Sequence, residues 1–139
     1  MFKVIVWATD GSSKAAQAFP LAKNLAQANG ARLIVVNARE IMVGRGAGPV
    51  HFDQDQVEAA LGKQVADLKQ QGLGATLQIG EVMAGGAAQV IADIADKEGA
   101  DLIVVGTRGH GSLTGLLLGS VTHRLTQIAH CPVLVVPSR

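Results

Sequence analysis

The sequence predicts a Rossmann-like α/β protein, an open parallel sheet with helices on both faces. Four apolar runs rich in valine and isoleucine do not alternate with polar residues, which is typical of parallel strands buried on both sides. Segments with helical spacing separate these runs, and repeated strand–helix alternation predicts right-handed crossovers within one sheet. The chain of 139 residues has about the commonest domain size, so residues 1–139 are predicted to form a single domain.

The predicted elements follow one another with short connections. The apolar runs lie at 3–8, 31–38, 100–106 and 132–137. A weaker run at 75–82 alternates apolar and polar residues, which predicts a fifth strand with an exposed face, at an edge of the sheet. Helices are predicted at 13–29, 54–71, 86–98 and 120–129. Pro20 predicts a kink or a late start in the first helix, and Gly30 predicts its end.

Composition excludes several classes of protein. With 48% hydrophobic and 17% charged residues, the chain can bury a core and is not expected to be disordered. A net charge of +1 without a run of lysines or arginines does not favour nucleic-acid binding. No apolar stretch has the length of a membrane helix. The single cysteine, Cys131, fits a reducing compartment, so a cytoplasmic protein is expected.

The most unusual stretch places five glycines between Gly106 and Gly119, directly after an apolar strand. In open α/β sheets, ligands bind beyond the carboxyl ends of the strands. A glycine followed by Ser120 at a helix start offers main-chain N–H groups and the positive end of the helix dipole, where phosphate binds readily. Ser120 is expected to cap this helix and to contribute a hydroxyl to the ligand. The residues alone leave phosphate binding and a purely structural glycine loop both open.

A family resemblance adds to this reasoning. The spacing Gly106-x-x-Gly109, nine residues, Gly119-Ser120 resembles the nucleotide-binding signature of the universal stress protein family, in its ATP-binding branch. The stretches "TDGS", "EGADLIVVGTRG", "LLGSVTHRL" and "CPVLVVP" are similar to that family as well. The resemblance covers nearly the whole chain. It implies strand order 3-2-1-4-5, a homodimer through the C-terminal strand at 132–137, and ATP, ADP or AMP bound at the switch point between strands one and four.

The resemblance also implies a set of ligand contacts. Asp10 would lie near the ribose or a Mg²⁺ ion, and Ala38 would meet adenine through its main chain. The residues implied for the phosphates, the ribose and the adenosine are Ala8, Thr9, Asp10, Ala38, Val105, Gly106, Arg108, Gly109, Gly119, Ser120, Val121 and Thr122. Two positions depart from the family pattern: Asn37 replaces a histidine common at the end of strand two, and Trp7 is bulky for a first strand.

The roles of two of these residues, and the function of the protein, each have an alternative interpretation. Asp10 is either a ligand residue or a cap of the following helix, and Arg108 is either a phosphate partner or an exposed arginine. His123 and His130 have no acidic residue at short range in the sequence, so no metal site is assigned. No catalytic residue is assigned either. The function expected first is an adenine-nucleotide-binding regulator of the stress response. The alternatives are a slow ATPase or nucleotidyl-transfer enzyme, and a ligand-free dimeric interaction module.

Overall fold

The computed structural model describes residues 1–41, 52–83, 85–107 and 119–138. Within these ranges, strands and helices follow each other along the chain. They are β1 (Val4–Thr9), α1 (Ser13–Ala16), α2 (Phe19–Asn29), β2 (Arg32–Ile41), α3 (Phe52–Gln70), β3 (Ala75–Met83), α4 (Ala87–Glu98), β4 (Leu102–Gly106), α5 (Ser120–Ile128) and β5 (Val133–Val136). The five predicted strands are therefore all present.

The strands form one sheet in the order β3-β2-β1-β4-β5, and every neighbouring pair is parallel. In the central strand β1, Val6 lies opposite Ile34 of β2 on one side and Ile103 of β4 on the other. The chain moves outward from β1 to β3, then crosses back to β4 on the other side of β1. Strand order thus reverses between β1 and β4, which confirms the predicted order and places the switch point there.

Helices cover both faces of the sheet, as predicted. On one face Trp7 and Leu33 pack against α2 and α3; on the other, Val6 and Ile34 pack against α4 and α5. These four side chains are at most 1% exposed. Burying a side chain of this kind contributes about 1.5–3 kcal/mol, so the two layers hold the central strands from both sides.

The predicted helix at 13–29 is divided in two. α1 ends at Ala16, and α2 begins at Phe19 with Pro20 in its first turn, where the missing N–H has no helical partner to lose. At the other end, Gly30 has a φ of 62° and its N–H bonds to carbonyls of the last turn of α2. Both expectations, the late start at Pro20 and the stop at Gly30, are confirmed.

The two edge strands differ from the central ones in exposure. β5 is partly exposed along its whole length, and in β3 the side chains of Ile79 and Met83 are 40% and 64% exposed. The edge position predicted for the strand at 75–82 is confirmed. None of the described helices combines the length and the apolar character needed to cross a membrane.

The second strand is longer than predicted. It was expected to end at residue 38, but β2 continues to Ile41, where it still pairs with Met83 of β3. Residues 39–41 therefore belong to the strand and do not follow it. Ladder hydrogen bonds to β3 keep these residues extended although their composition is polar.

Candidate functional site

The carboxyl ends of β1 and β4 lie side by side at the switch point, because Trp7 pairs with Val104 and both strands run in the same direction. This arrangement brings Thr9, Gly106 and the start of α5 to one edge of the sheet. The side chains of Ala8 and Val105 are buried against α4 and α5, so these two residues can offer a ligand only their main chain. Of the predicted site residues, Arg108 and Gly109 lie outside the described residues.

The start of α5 is fixed to the end of β4 by two hydrogen bonds. The N–H of Gly119 donates to the carbonyl oxygen of Thr107 at 2.7 Å, and Oγ1 of Thr122 donates to the carbonyl oxygen of Gly106 at 2.8 Å. Main-chain and threonine hydrogen bonds thus hold the two ends of the glycine-rich segment at a fixed separation.

These bonds change the role of two predicted ligand residues. The Gly119 N–H is already bonded to the protein, so it cannot be one of the N–H groups that meet an anion. The hydroxyl of Thr122, a residue only 6% exposed, is likewise engaged within the fold. Among the described residues at this end, the main-chain N–H groups of the first turn of α5, from Ser120 to Thr122, remain open to a ligand.

Ser120 does not cap α5, which corrects the expectation for this residue. The N-cap is Gly119, and Ser120 is the first helical residue with an exposed side chain. Among the described side chains, none makes a capping hydrogen bond to this helix end. Val121 packs partly against the core beside α4. The helix therefore begins with a residue without a side chain, followed by a solvent-exposed hydroxyl.

The turn after β1 is built by hydrogen bonds among neighbouring residues. Oγ1 of Thr9 accepts the N–H of Gly11 at 3.1 Å, and Oδ1 of Asp10 accepts the N–H of Ser12 at 2.9 Å. The cap of α1 is Ser12, whose hydroxyl accepts the N–H of Ala15. Asp10 therefore does not cap the helix directly; its carboxylate shapes the turn that places it at the carboxyl end of β1.

Gly11 is required by this turn. Its φ is +83°, and a Cβ at this position would lie 2.5 Å from Cγ1 of Val57 in α3. The turn after β1 thus packs closely on the second turn of α3. This contact fixes the position of Asp10 from the side opposite α5.

Ala38 lies within β2, one residue beyond the last β1–β2 pair, which joins Thr9 and Asn37. Since β2 runs on past the end of β1, the main chain of Ala38 lies next to the turn that follows β1. The side chain of Ala38 packs toward the α4 side of the sheet. The main-chain role that the resemblance implies for Ala38 is compatible with this placement.

A buried amide that the sequence-based reasoning did not assign to the site lies between these segments. Asn37, only 1% exposed, donates from Nδ2 to the carbonyl oxygen of Thr9 at 3.0 Å. Its Oδ1 accepts from Nε2 of Gln54 in α3 at 2.9 Å. The signal was present in the sequence, because a single asparagine interrupts the apolar run "LIVVNA", and a buried amide requires partners.

Away from the carboxyl ends of β1 and β4, the described titratable residues make one close histidine–carboxylate contact. Nδ1 of His130 lies 2.8 Å from Oδ2 of Asp96, an acidic residue that α4 supplies from a distant part of the chain and that short-range spacing in the sequence could not show. Within the described ranges, no three His, Cys, Asp or Glu residues are grouped so as to hold a metal ion. Burial raises the pKa of the Cys131 thiol, as do the nearby carboxylates of Asp96 and Asp101, which keeps it protonated.

The fold is that of a doubly wound α/β protein with a switch point between β1 and β4. The family model of the universal stress protein family matches residues 1–137. A universal stress protein of Thermus aquaticus is 38% identical over 142 residues, covering 98% of this chain and 99% of the relative. The chain belongs to the universal stress protein family.

Solved structures agree with this assignment. A protein of the same family from Burkholderia pseudomallei superposes with a TM-score of 0.76 at 28% identity, covering 98% of this chain and 96% of the other. A universal stress protein solved in complex with cAMP gives a TM-score of 0.68 at 27% identity, covering 99% of this chain and 98% of the other.

Proposed function

We propose that this protein binds an adenine nucleotide at the switch point between β1 and β4 and acts as a nucleotide-responsive regulator. The phosphates would meet the main-chain N–H groups at the start of α5. The nucleoside would lie over the turn from Thr9 to Gly11, with the adenine near the main chain of Ala38. The relative solved with cAMP supports an adenine nucleotide as the ligand class.

The observation that carries the proposal is the start of α5. Gly119 has φ −55° and ψ 153°, a backbone conformation that any residue adopts. A Cβ there would lie 3.5 Å from the Thr107 carbonyl oxygen, which is ordinary contact. Among the residues that the structure describes, nothing therefore requires glycine at this position. Close approach of a phosphate to the helix N-terminus, where the dipole favours negative charge, does provide a reason for it.

Among adenine nucleotides, we propose ATP as the principal ligand, because the glycine spacing resembles that of the ATP-binding branch. A carboxylate at Asp10 suits Mg²⁺, which in nucleotide sites is held by one or two carboxylates together with phosphate oxygens. The other described residues add no metal-binding cluster to it. The ion would thus bind together with the nucleotide rather than before it.

The proposal is tested on the purified protein. Denaturation followed by chromatography should release an adenine nucleotide, or calorimetric titration of the nucleotide-free protein should give heat with at least one of ATP, ADP, AMP and cAMP. At about 100 times its dissociation constant, the bound nucleotide should raise the free energy of unfolding by ~2.7 kcal/mol. A protein that releases no nucleotide and gives no heat with any of the four would contradict the proposal.

We further propose a homodimer formed through β5. Among the described elements, β5 pairs with β4 alone, and its four residues are all partly exposed. A short apolar edge strand with unpaired main-chain groups favours association with a second strand. Sedimentation equilibrium at micromolar concentration should give the mass of a dimer, and a monomer at that concentration would contradict this part of the proposal.

A further inference from the structure

The amide of Asn37 connects the end of β1 to α3 through a chain of side chains that we call the amide bridge: the Thr9 carbonyl, Asn37, Gln54 and Glu58. A carbonyl oxygen only accepts, so the Nδ2 group of Asn37 must face Thr9, at 3.0 Å. This fixes the orientation of the amide. Its Oδ1 therefore faces α3, where it needs a donor because Asn37 is buried.

Gln54 supplies that donor and a second hydrogen bond as well. Its Nε2 lies 2.9 Å from Oδ1 of Asn37 and 3.1 Å from Oε1 of Glu58, one turn further along α3. A primary amide carries two hydrogens on one nitrogen, so it can serve both acceptors. The Glu58 carboxylate is also 3.5 Å from Nη1 of Arg39 on β2, which anchors this end of the amide bridge to the sheet.

The amide bridge ends on the turn that the proposed nucleotide would contact. The carbonyl oxygen of Thr9 accepts a hydrogen bond from Nδ2 of Asn37, and the hydroxyl of Thr9 accepts one from the N–H of Gly11. Gly11 in turn lies against Val57 of α3. The first two turns of α3 thus hold the segment from Thr9 to Ser12 both by hydrogen bonding and by contact.

We propose that Asn37 and Gln54 are positioning residues of the nucleotide site: they set the place of the Thr9–Ser12 turn without touching the ligand. The inference rests on the proposed nucleotide binding. Loss of the Gln54 donor leaves the buried Oδ1 of Asn37 without a partner, and the asparagine side chain then releases the Thr9 carbonyl to restore its own hydrogen bonding. The Thr9–Ser12 turn is then no longer preorganised. Nucleotide binding has to order it, and this cost lowers the affinity.

The test compares two glutamines that each donate a hydrogen bond to an acidic residue four positions further along the same helix. Gln54 donates to Glu58 four residues on, and Gln89 in α4 donates to Asp93 four residues on, but Gln89 is exposed and lies outside the amide bridge. Gln54→Met and Gln89→Met each remove the amide and keep the length of the side chain. Gln54→Lys keeps a donor group able to serve both acceptors and is the rescue variant.

Affinity for ATP and AMP is measured by calorimetry at a temperature where the fluorescence of the single tryptophan, Trp7, shows each variant fully folded. Gln54→Met should weaken binding about tenfold, while Gln89→Met and Gln54→Lys should bind within about twofold of the wild type. In the absence of nucleotide, the backbone amide resonance of Gly11 should shift in Gln54→Met and not in Gln89→Met. This resonance reports the turn itself, which a general loss of stability would leave in place.

The outcomes separate the two proposals. A wild-type protein that binds none of the nucleotides overturns the proposed function and this inference with it. A wild-type protein that binds, with Gln54→Met binding as tightly as Gln89→Met, overturns this inference alone. An unchanged Gly11 resonance in Gln54→Met would do the same, since the turn would then be independent of the amide bridge.

Discussion

Two glycines lie in stretches that resemble the family, Gly11 after β1 and Gly119 before α5. They differ in whether the described fold would tolerate a side chain at their position. Gly11 has a left-handed φ of +83° and has Val57 against it, so the fold itself excludes a side chain there. Gly119 has an ordinary backbone conformation, and the described residues leave room for a Cβ there. The described part of the fold accounts for the first glycine but not for the second, so the second is the one on which the proposed ligand can be tested.

The largest effect on folding is expected from Gly11→Ala. A left-handed φ costs a residue with a Cβ about 1–2 kcal/mol, and overpacking against Val57 adds about 1–3 kcal/mol, so the free energy of unfolding should fall by about 3 kcal/mol. Urea unfolding followed by Trp7 fluorescence measures it. The matched control is Gly72→Ala, with φ +86° and no described atom within 4 Å of its Cβ. Equal losses in the two variants would show that the contact with Val57 carries no energy.

Gly119→Ser should leave the free energy of unfolding almost unchanged but should lower nucleotide affinity. Serine is a good N-cap residue, so the free energy of unfolding should stay the same or rise by a few tenths of a kcal/mol. The added hydroxyl would bond to the N–H groups at the start of α5 and would occupy the approach of the phosphate, so nucleotide affinity should fall about tenfold or more. Calorimetry and thermal unfolding on the same samples measure both. Undiminished affinity would show that this helix end is not the phosphate site.

A smaller effect is expected from the hydrogen bond that ties α5 to β4. Thr122→Val keeps the side-chain shape but leaves the buried Gly106 carbonyl oxygen without the Thr122 donor, which should cost about 1–2 kcal/mol of unfolding free energy. Thr126 of the same helix donates to the His123 carbonyl oxygen in an exposed position, and Thr126→Val should cost less than about 0.5 kcal/mol. Chemical denaturation distinguishes the two; a Thr122 variant as stable as the Thr126 variant would contradict this role.

The smallest effect is expected at the amino-terminal ends of the strands, on the opposite side of the sheet from Gly11 and Gly119. This region serves as a control for the variants of both glycines. The Asp101 carboxylate accepts the N–H groups of Lys3 at 2.6 Å and Val4 at 2.9 Å. The hydrogen bond from the N–H of Lys3, and after it that from Val4, hold the pKa of Asp101 below its ordinary value. Because the folded pKa is the lower one, the stabilisation is complete above the unfolded pKa of about 3.9 and is lost as the pH falls through the folded value.

Thermal unfolding between about pH 6 and pH 2 measures this contribution. Asp101→Asn should flatten the acid limb of the curve of Tm against pH and bring its Tm toward that of the wild type at the lowest pH. Nucleotide affinity at neutral pH should not change, because Asp101 is at the far edge of the sheet. Parallel Tm curves for the two proteins would show that the carboxylate adds nothing to acid stability.

The parallel strands and the two helical layers could be predicted because each depends on a local or repeated property of the sequence. Uninterrupted valine and isoleucine runs predict buried parallel strands, and Pro20 and Gly30 punctuate the first helix through their own backbone constraints. The switch point then follows from the strand order that the family resemblance implied. The sequence thus determined the fold class, and together with the family resemblance it predicted where the switch point lies.

The partners of the polar groups at that edge were decided only by the tertiary structure. Asn37 meets Thr9 across 28 positions of the chain and Gln54 across 17, and Thr122 meets Gly106 across 16. The extension of β2 to Ile41 likewise depends on β3. A hydrogen bond requires two groups within about 3 Å in the right orientation, and packing of separate segments sets that geometry. Local sequence patterns show which groups need partners, whereas the folded chain decides which partners they obtain.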